Sequence, residues 1–204
     1  MINKTVSYYN NADDSKSKIR YNLDYVLGMI RDNQELFQQT VKLRSMPTEE
    51  EYKQAKKLLP MIAPSGVFDY RNDDPENLRE YSNVLVLDFD HFQSRLDAGE
   101  FKRNLIDNAD RLHVYALWFS PSRLGVKVAM IHDSTNPMYH NELFRCIREQ
   151  LYPGIPEFDD KCGNLSRTFF LSSDPEIYII PQRDSLTPYP FEHSPSVRAT
   201  PMKS

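Results

Sequence analysis

The stretch Val84-Leu85-Val86-Leu87-Asp88-Phe89-Asp90, VLVLDFD, decides how this chain is read. A run this short, rich in Val and Leu and closed by acids, is a buried strand rather than a helix. Side chains alternate across a strand, so Leu85, Leu87 and Phe89 turn one way while Asp88 and Asp90 share the other face. Two neighbouring carboxylates repel unless a cation lies between them, and Mg²⁺ or Mn²⁺ takes such hard oxygen ligands. The competing reading of the same pair is two solvated aspartates at a loop edge.

Downstream, Arg95 to Ala109 reads as a helix with Leu96, Phe101, Leu105 and Ala109 turned inward. His113 to Ser120 is a strand containing two core aromatics, Trp118 and Phe119; PSRLG is a tight connection; Val126 to Ile131 is the hairpin partner. Pro137 opens a helix with Leu143, Phe144, Ile147 and Leu151 on one face, and Thr168 to Ser172 is a strand, followed by a short one at Ile177 to Ile180. The order strand, helix, strand, strand, helix, strand over residues 83–180 predicts an α+β fold, a ferredoxin-like (RNA-recognition-motif-like) βαββαβ unit. In that unit the first and third strands are central and the fourth flanks the first.

Upstream, residues 1–82 form a helical or mixed N-terminal module packed on that unit. Ile19, Leu23, Val26, Leu27 and Ile30 fall at helical spacing, and Thr48 with Glu51 makes a capping box for a second helix ending before Pro60. The apolar face of that helix is Tyr52, Ala55, Leu58 and Leu59, with Lys53, Lys56 and Lys57 on or beside its exposed side. Pro64-Ser65-Gly66 is a turn. Residues 1–180 read as one domain, and residues 181–204, with five prolines, as an extended or disordered tail or linker.

The βαββαβ layout gathers scattered side chains. Lys127 alternates with Val126 and Val128, so it shares the open face with the aspartates, where a cation suits a triphosphate; its plain reading is an exposed hairpin lysine. Ser120 and Ser122 in the preceding turn add hydroxyl and backbone donors. Asp159 and Asp160 precede the last strand and Arg167 opens it. Three acids converging from separate segments are what binding two ions about 3.5–4 Å apart requires. Asp159 ranks ahead of Asp160 as ligand because it follows an apolar residue, Phe158. Arg167 either clamps a phosphate bidentately or pairs with Asp159, Asp160 or Asp174.

Composition excludes several classes. No segment approaches the roughly 20 apolar residues that cross a bilayer, and the N-terminus carries no secretory run. Twenty-four aromatic residues (11 Phe, 12 Tyr, 1 Trp) suffice for a core. A net charge of −4 rules out an indiscriminate nucleic-acid coat. No glycine-rich phosphate loop occurs. Two cysteines, Cys146 and Cys162, are too few for a disulfide framework or a four-cysteine zinc site and point to a reducing cytoplasm. The five histidines show no metal spacing and are expected at the surface.

Four segments in this order, KKLLPMIAPSGVFDYR (56–71), VLVLDFDHF, SPSRLGVKV and FDDKCGNLSRTFFLSSDP (158–175), resemble the primase-polymerase-type domain found beside virulence-E-like helicase domains. That group is similar to the archaeo-eukaryotic primase superfamily, and the resemblance spans Val6 to Pro181. It implies that Asp88, Asp90 and Asp159 match the superfamily's metal-binding acids. Lys127 stands where the superfamily carries a nucleotide-contacting histidine, and Arg123-Leu124 replaces a small glycine-containing turn. The implied function is template-directed nucleotidyl transfer on single-stranded DNA from nucleoside triphosphates, in replication of a mobile or phage-type element. Ser120, Ser122, Lys127 and Arg167 would hold phosphates, and Lys53, Lys56, Lys57 and Arg71 the template backbone, with a replicative helicase as partner. The readings that compete with it are a non-catalytic single-stranded DNA-binding module and a metal-dependent nuclease.

Overall fold

The computed structural model describes residues 2–183 and 186–193. β1 (Thr5–Tyr9) and β2 (Arg20–Asn22) pair antiparallel, and α1 (Leu23–Asp32) starts where the Asn22 side chain accepts from the Asp24 amide. The helix buries Leu23, Val26, Leu27 and Ile30, as their spacing predicts, whereas Ile19 precedes the cap and stays exposed. α2 (Gln34–Arg44), which the pattern did not reveal, starts on a second asparagine cap, Asn33, and buries only Leu36, Thr40 and Leu43. α3 (Glu49–Lys56) keeps the Thr48 half of the expected capping box: Thr48 Oγ1 accepts from the Glu51 amide at 3.2 Å, and the Glu51 carboxylate accepts from that hydroxyl at 2.7 Å. Of its expected apolar face, Leu59 is buried and Leu58 exposed. β3 (Met61–Ala63), the turn at Pro64-Ser65, β4 (Gly66–Phe68) and β5 (Leu78–Tyr81) complete the mixed N-terminal part.

β6 (Val84–Phe89), α4 (Arg95–Asp107), β7 (Val114–Phe119), β8 (Val126–Ile131) and α5 (His140–Leu151) follow in the predicted order. β6 pairs with β8 and β8 with β7, so Asp88 stands opposite Lys127 and Lys127 opposite Trp118. This register puts Leu87, Phe89, Val126 and Val128 on the helix side, where the Phe89 ring meets Phe101 and Tyr152 at 4.9 and 5.2 Å. Asp88, Lys127 and Trp118 share the opposite face. Leu96 is a correction: with Ser94 capping α4, the buried positions are Ala98, Lys102 and Leu105, and Leu96 is 65% exposed.

The last strands depart from the expected unit. β9 shrinks to Phe169–Phe170 and pairs with β3, giving one sheet in the order β2-β1-β3-β9. β10 (Tyr178–Ile179) pairs with β7, giving a second sheet, β10-β7-β8-β6, and β4 with β5 form a ribbon. The flank of β6 is taken by residues 157–159: the Asp90 amide donates to Glu157 O at 2.8 Å and the Asp159 amide to Asp88 O at 2.9 Å, with Phe89 bridging Phe158. The described chain is thus α+β, with two four-stranded antiparallel sheets and five helices.

A buried ion pair joins the parts. Lys102 Nζ donates to Asp174 Oδ2 at 2.7 Å, that oxygen also accepts from the Phe119 amide at 2.9 Å, and the Asp174 amide donates to Ile30 O. The tail expected to be loose is held as far as it is described: Tyr189 is buried, its amide donates to Ile131 O at 2.7 Å, and its hydroxyl donates to Gln150 Oε1. Residues 184, 185 and 194–204 of that tail lie outside the described residues.

Two histidines are not at the surface. His140 is buried, with Nε2 3.1 Å from Ser65 Oγ and Nδ1 3.0 Å from Tyr81 OH. His132 is fully buried, and neither ring nitrogen has a hydrogen-bond partner among the described residues. Burial, helped at His132 by the neighbouring His140, pulls their pKa values down to about 3 for His132 and about 4 for His140. The unfolded chain therefore takes up protons below about pH 6.5 that the folded chain refuses, and stability falls as pH drops toward 4. We expect a loss of about 1.4 kcal/mol per pH unit per histidine once below that point. Urea titrations at pH 7.0, 5.5 and 4.5 should show a shallower loss for His132→Phe than for the wild type; identical slopes would refute the assignment.

Candidate functional site

Docking of residues 157–159 onto β6 brings the third acid beside the first. Ligand atoms of Asp88, Asp159 and Cys162 lie within 4.8 Å of one another. Asp88 and Asp159 open onto a cavity of about 350 Å³ between the two sheets, which Lys56, Asp90, Ser120, Ser122, Lys127 and Arg167 also line. Three carboxylates and three cationic side chains from five segments therefore share one cleft, although its far wall, Phe169 and Phe170, belongs to the other sheet.

Two ion pairs cross the cleft, Lys127 with Asp88 and Arg167 with Asp159. Lys127, 5% exposed, donates to Asp88 Oδ2 at 2.6 Å across the β6–β8 ladder and lies 5.0 Å from the Phe169 ring. Asp88 Oδ1 is buried and accepts no hydrogen bond among the described residues. Asp159 Oδ1 accepts from the Lys161 amide at 3.0 Å; its Oδ2 lies 3.0 Å from Arg167 Nη2 and 3.2 Å from Cys162 Sγ. Burial opposes ionisation of Asp159, yet the Lys161 N–H, the Cys162 thiol and the Arg167 charge outweigh it and hold the carboxyl below its usual range. Burial and the nearby Lys127 ammonium lower the pKa of Lys56, against the pull of Asp90 and Asp88. Burial pushes the Cys162 thiol up to about 12.

The SPSRLG connection closes tightly over this floor. Ser120 N donates to Gly125 O at 2.8 Å, and the hydroxyls of Ser120 and Ser122 lie 3.2 Å apart. A methyl group on Gly125 would stand 2.7 Å from Phe89 O, 2.8 Å from Asp90 Oδ1 and 3.0 Å from Ser120 Oγ, so no larger residue fits. The residues fit a divalent cation: a carboxylate oxygen of Asp88 is buried without a donor, and a second carboxylate stands beside it. Cys162, a neutral thiol near pH 7, is no ligand for a hard ion.

Asp88, Asp90, Asp159, Ser120, Ser122, Lys127 and Arg167 therefore come together as the sequence predicts, and Arg167 pairs with Asp159. Asp160 does not join them: its side chain turns outward, 70% exposed, to Arg148 at 3.2 Å. Arg71 lies apart, donating to Ala12 O at 2.6 Å with its guanidinium over the Tyr9 ring. Lys53 pairs with Glu49 one helical turn away, and Lys57 is exposed; neither lines the cleft. Lys56 does, since it follows Tyr52 by four residues and so lies on the inward stripe, a signal present in the sequence. Phe169 and Phe170, inside the expected strand at Thr168 to Ser172, were missed as site residues, because nothing local shows that this strand joins the other sheet.

The chain belongs to the BT4734-like, N-terminal domain family, whose model matches residues 53–179, more than half of its length. Neither a curated protein nor a solved structure matches it. No helix among the described residues is long and apolar enough to cross a membrane.

The thiol environments can be checked directly. Iodoacetamide at pH 8 is expected to alkylate half-buried Cys146 well ahead of buried Cys162, because only the thiolate reacts and Cys162 is held protonated. Peptide mass spectrometry over time reads the order; Cys162 reacting first would show that the cleft is not as described.

Proposed function

We propose that this domain is a primase-polymerase-type nucleotidyltransferase, akin to the archaeo-eukaryotic primase superfamily, extending a strand on a single-stranded DNA template. The observation that carries the reading is the meeting of Asp88, Asp90 and Asp159 with Lys56, Lys127 and Arg167 in one cleft. Supporting the finer fold, β6, β8 and β7 stand in the order of strands one, three and two of a ferredoxin-like unit, with residues 157–159 at the place of the fourth.

Asp88, Asp90 and Asp159 are the residues that would hold Mg²⁺ or Mn²⁺. Such ions, when bound, make a 3′-hydroxyl easier to deprotonate and neutralise a triphosphate and its departing pyrophosphate. The chain's own cations do the rest. Lys127 has three N–H donors, of which Asp88 takes one, so its ammonium is shared between that carboxylate and a phosphate oxygen. Arg167 offers planar N–H groups to a second phosphate while anchored on Asp159, and Lys56 adds charge at the rim. The hydroxyls of Ser120 and Ser122, on a turn clamped around Gly125, donate to the same phosphates. The two phenylalanines exclude water from that wall. The reading places the domain in the cytoplasm, working with a replicative helicase on a mobile or phage-type element.

A second reading, a non-catalytic single-stranded DNA-binding module, has one observation in its favour. Lys127 already neutralises Asp88 at 2.6 Å, as an internal counter-ion would. Primer extension and de novo synthesis with labelled nucleotides and Mg²⁺ or Mn²⁺ separate the two. Wild type is expected to incorporate label, and Asp88→Ala/Asp90→Ala to lose about 100-fold or more, the several kcal/mol such ions supply. Lys127→Ala should raise the nucleotide KM. DNA binding without incorporation under either metal would favour the second reading, and strand shortening without nucleotides a nuclease.

A further inference from the structure

Beside the mouth of the cleft, Arg44 and Arg123 meet at the SPSRLG connection, and Arg95 lies close enough for its charge to act on Arg44. Arg44 closes α2, and its Nε donates to Pro121 O at 2.9 Å, while its Nη2 is buried without a hydrogen-bond partner among the described residues. Arg123 sits two residues further along the same connection with φ 60°, a left-handed backbone that disfavours any residue bearing a Cβ. Its guanidinium covers the Phe119 ring at 4.8 Å and stays 39% exposed. Arg95 opens α4, where the helix dipole disfavours a cation, and is exposed. The amide of Phe92 donates to Leu124 O at 3.1 Å, tying the approach to α4 to the Arg123 connection.

Among the described residues, the acids beside this group are few or already engaged. Asp174 is already committed to Lys102 and the Phe119 amide, and Glu176, 78% exposed, reaches Arg123 only at 3.6 Å. Burial and the like charges of Arg123 and Arg95 lower the proton affinity of Arg44, with Asp174 opposing them. A guanidinium with a donor unmet among the described residues and a cation at a helix N-terminus are two separate costs beside Arg123, and phosphate is the ligand class that offsets both.

We propose that Arg44, Arg95 and Arg123 form a phosphate-binding patch that carries the sugar-phosphate backbone of a single-stranded nucleic acid into the cleft, past Pro121 and Ser122. The proposal deepens the nucleotidyltransferase reading by giving the strand its path, yet it does not need the cleft to be catalytic. A guanidinium row suits successive phosphates, and entry beside Ser122 leaves Lys127 and Arg167 free for the nucleotide.

The test is anisotropy of a labelled oligodeoxythymidylate titrated with the full chain at several salt concentrations, beside calorimetry with a nucleoside triphosphate. Arg95→Ala/Arg123→Gly is the informative variant, because glycine accepts the left-handed backbone and removes the charge without straining the turn. It should bind the oligonucleotide about 10-fold or more weaker, and its log–log salt slope should shrink by roughly 1.4, two contacts at about 0.7 each. Its nucleotide affinity should be unchanged. A control of equal charge, Lys18→Ala/Arg20→Ala, whose side chains pair with Asp69 and Glu80, should keep oligonucleotide affinity. Unchanged affinity and slope in the arginine variant would overturn the patch, as would equal loss in the control or weakened nucleotide binding with oligonucleotide binding intact. If no nucleotide is incorporated while the arginine variant still loses the strand, the enzymatic reading fails and the patch stands.

Discussion

The geometry of the whole cleft hangs on two backbone hydrogen bonds at the outer edge of β6, Asp90 to Glu157 and Asp159 to Asp88. An uncovered edge strand leaves a row of peptide groups needing partners. Residues 157–159 satisfy them at the end where the aspartates lie, which delivers Asp159 beside Asp88 at no cost in unpaired backbone. From there the chain cannot continue as a flanking strand. The short helical turn at Asp160–Gly163 swings it away, and Phe169–Phe170 pairs with β3 in the other sheet. The same detour that breaks the expected topology thus builds the opposite wall of the cleft.

Charges gathered in a low-dielectric cleft are costly unless each finds a partner. Here Lys127 holds one oxygen of Asp88 and Arg167 holds Asp159, while the remaining, buried Asp88 oxygen accepts nothing among the described residues. A site paired in this way is stable while empty, but keeps an acceptor aimed at whatever cation or donor arrives. The Lys102–Asp174 pair plays a different part: both oxygens of Asp174 already accept hydrogen bonds, one of them from the Phe119 amide, so it fixes the end of β7.

How much of this could be read from the chain follows from which signals are local. β6, α4, β7, β8 and α5 were legible because their apolar periods are strong, with a Ser94 cap opening α4, and the facing of Lys127 toward Asp88 followed from alternation. The N-terminal sheet was not: β3 is three residues buried on both faces, β2 is shorter than any period can register, and β9, although inside the expected strand at Thr168 to Ser172, pairs with β3 rather than lying beside β6. α2 escaped because its inward stripe is thin and includes a threonine, Thr40, bonded back to Leu36 O. Of the expected site residues, Asp88 and Lys127 face the cleft because strand alternation turns them there, whereas the adjacent Asp159 and Asp160, on non-strand backbone, turn opposite ways, which no spacing in the sequence reveals. The buried histidines were missed for the same reason: isolated polar residues beside turns look solvated until the chain folds over them.

The register that aligns Asp88 with Lys127 continues to Trp118, the single tryptophan of the chain, fully buried and with its indole N–H unpartnered among the described residues. An excited indole is strongly dipolar, so its emission follows the local electric field. One ladder position from the ammonium, Trp118 is placed as an intrinsic optical gauge of the cleft floor: whatever draws Lys127 away from Asp88 alters the colour of its light.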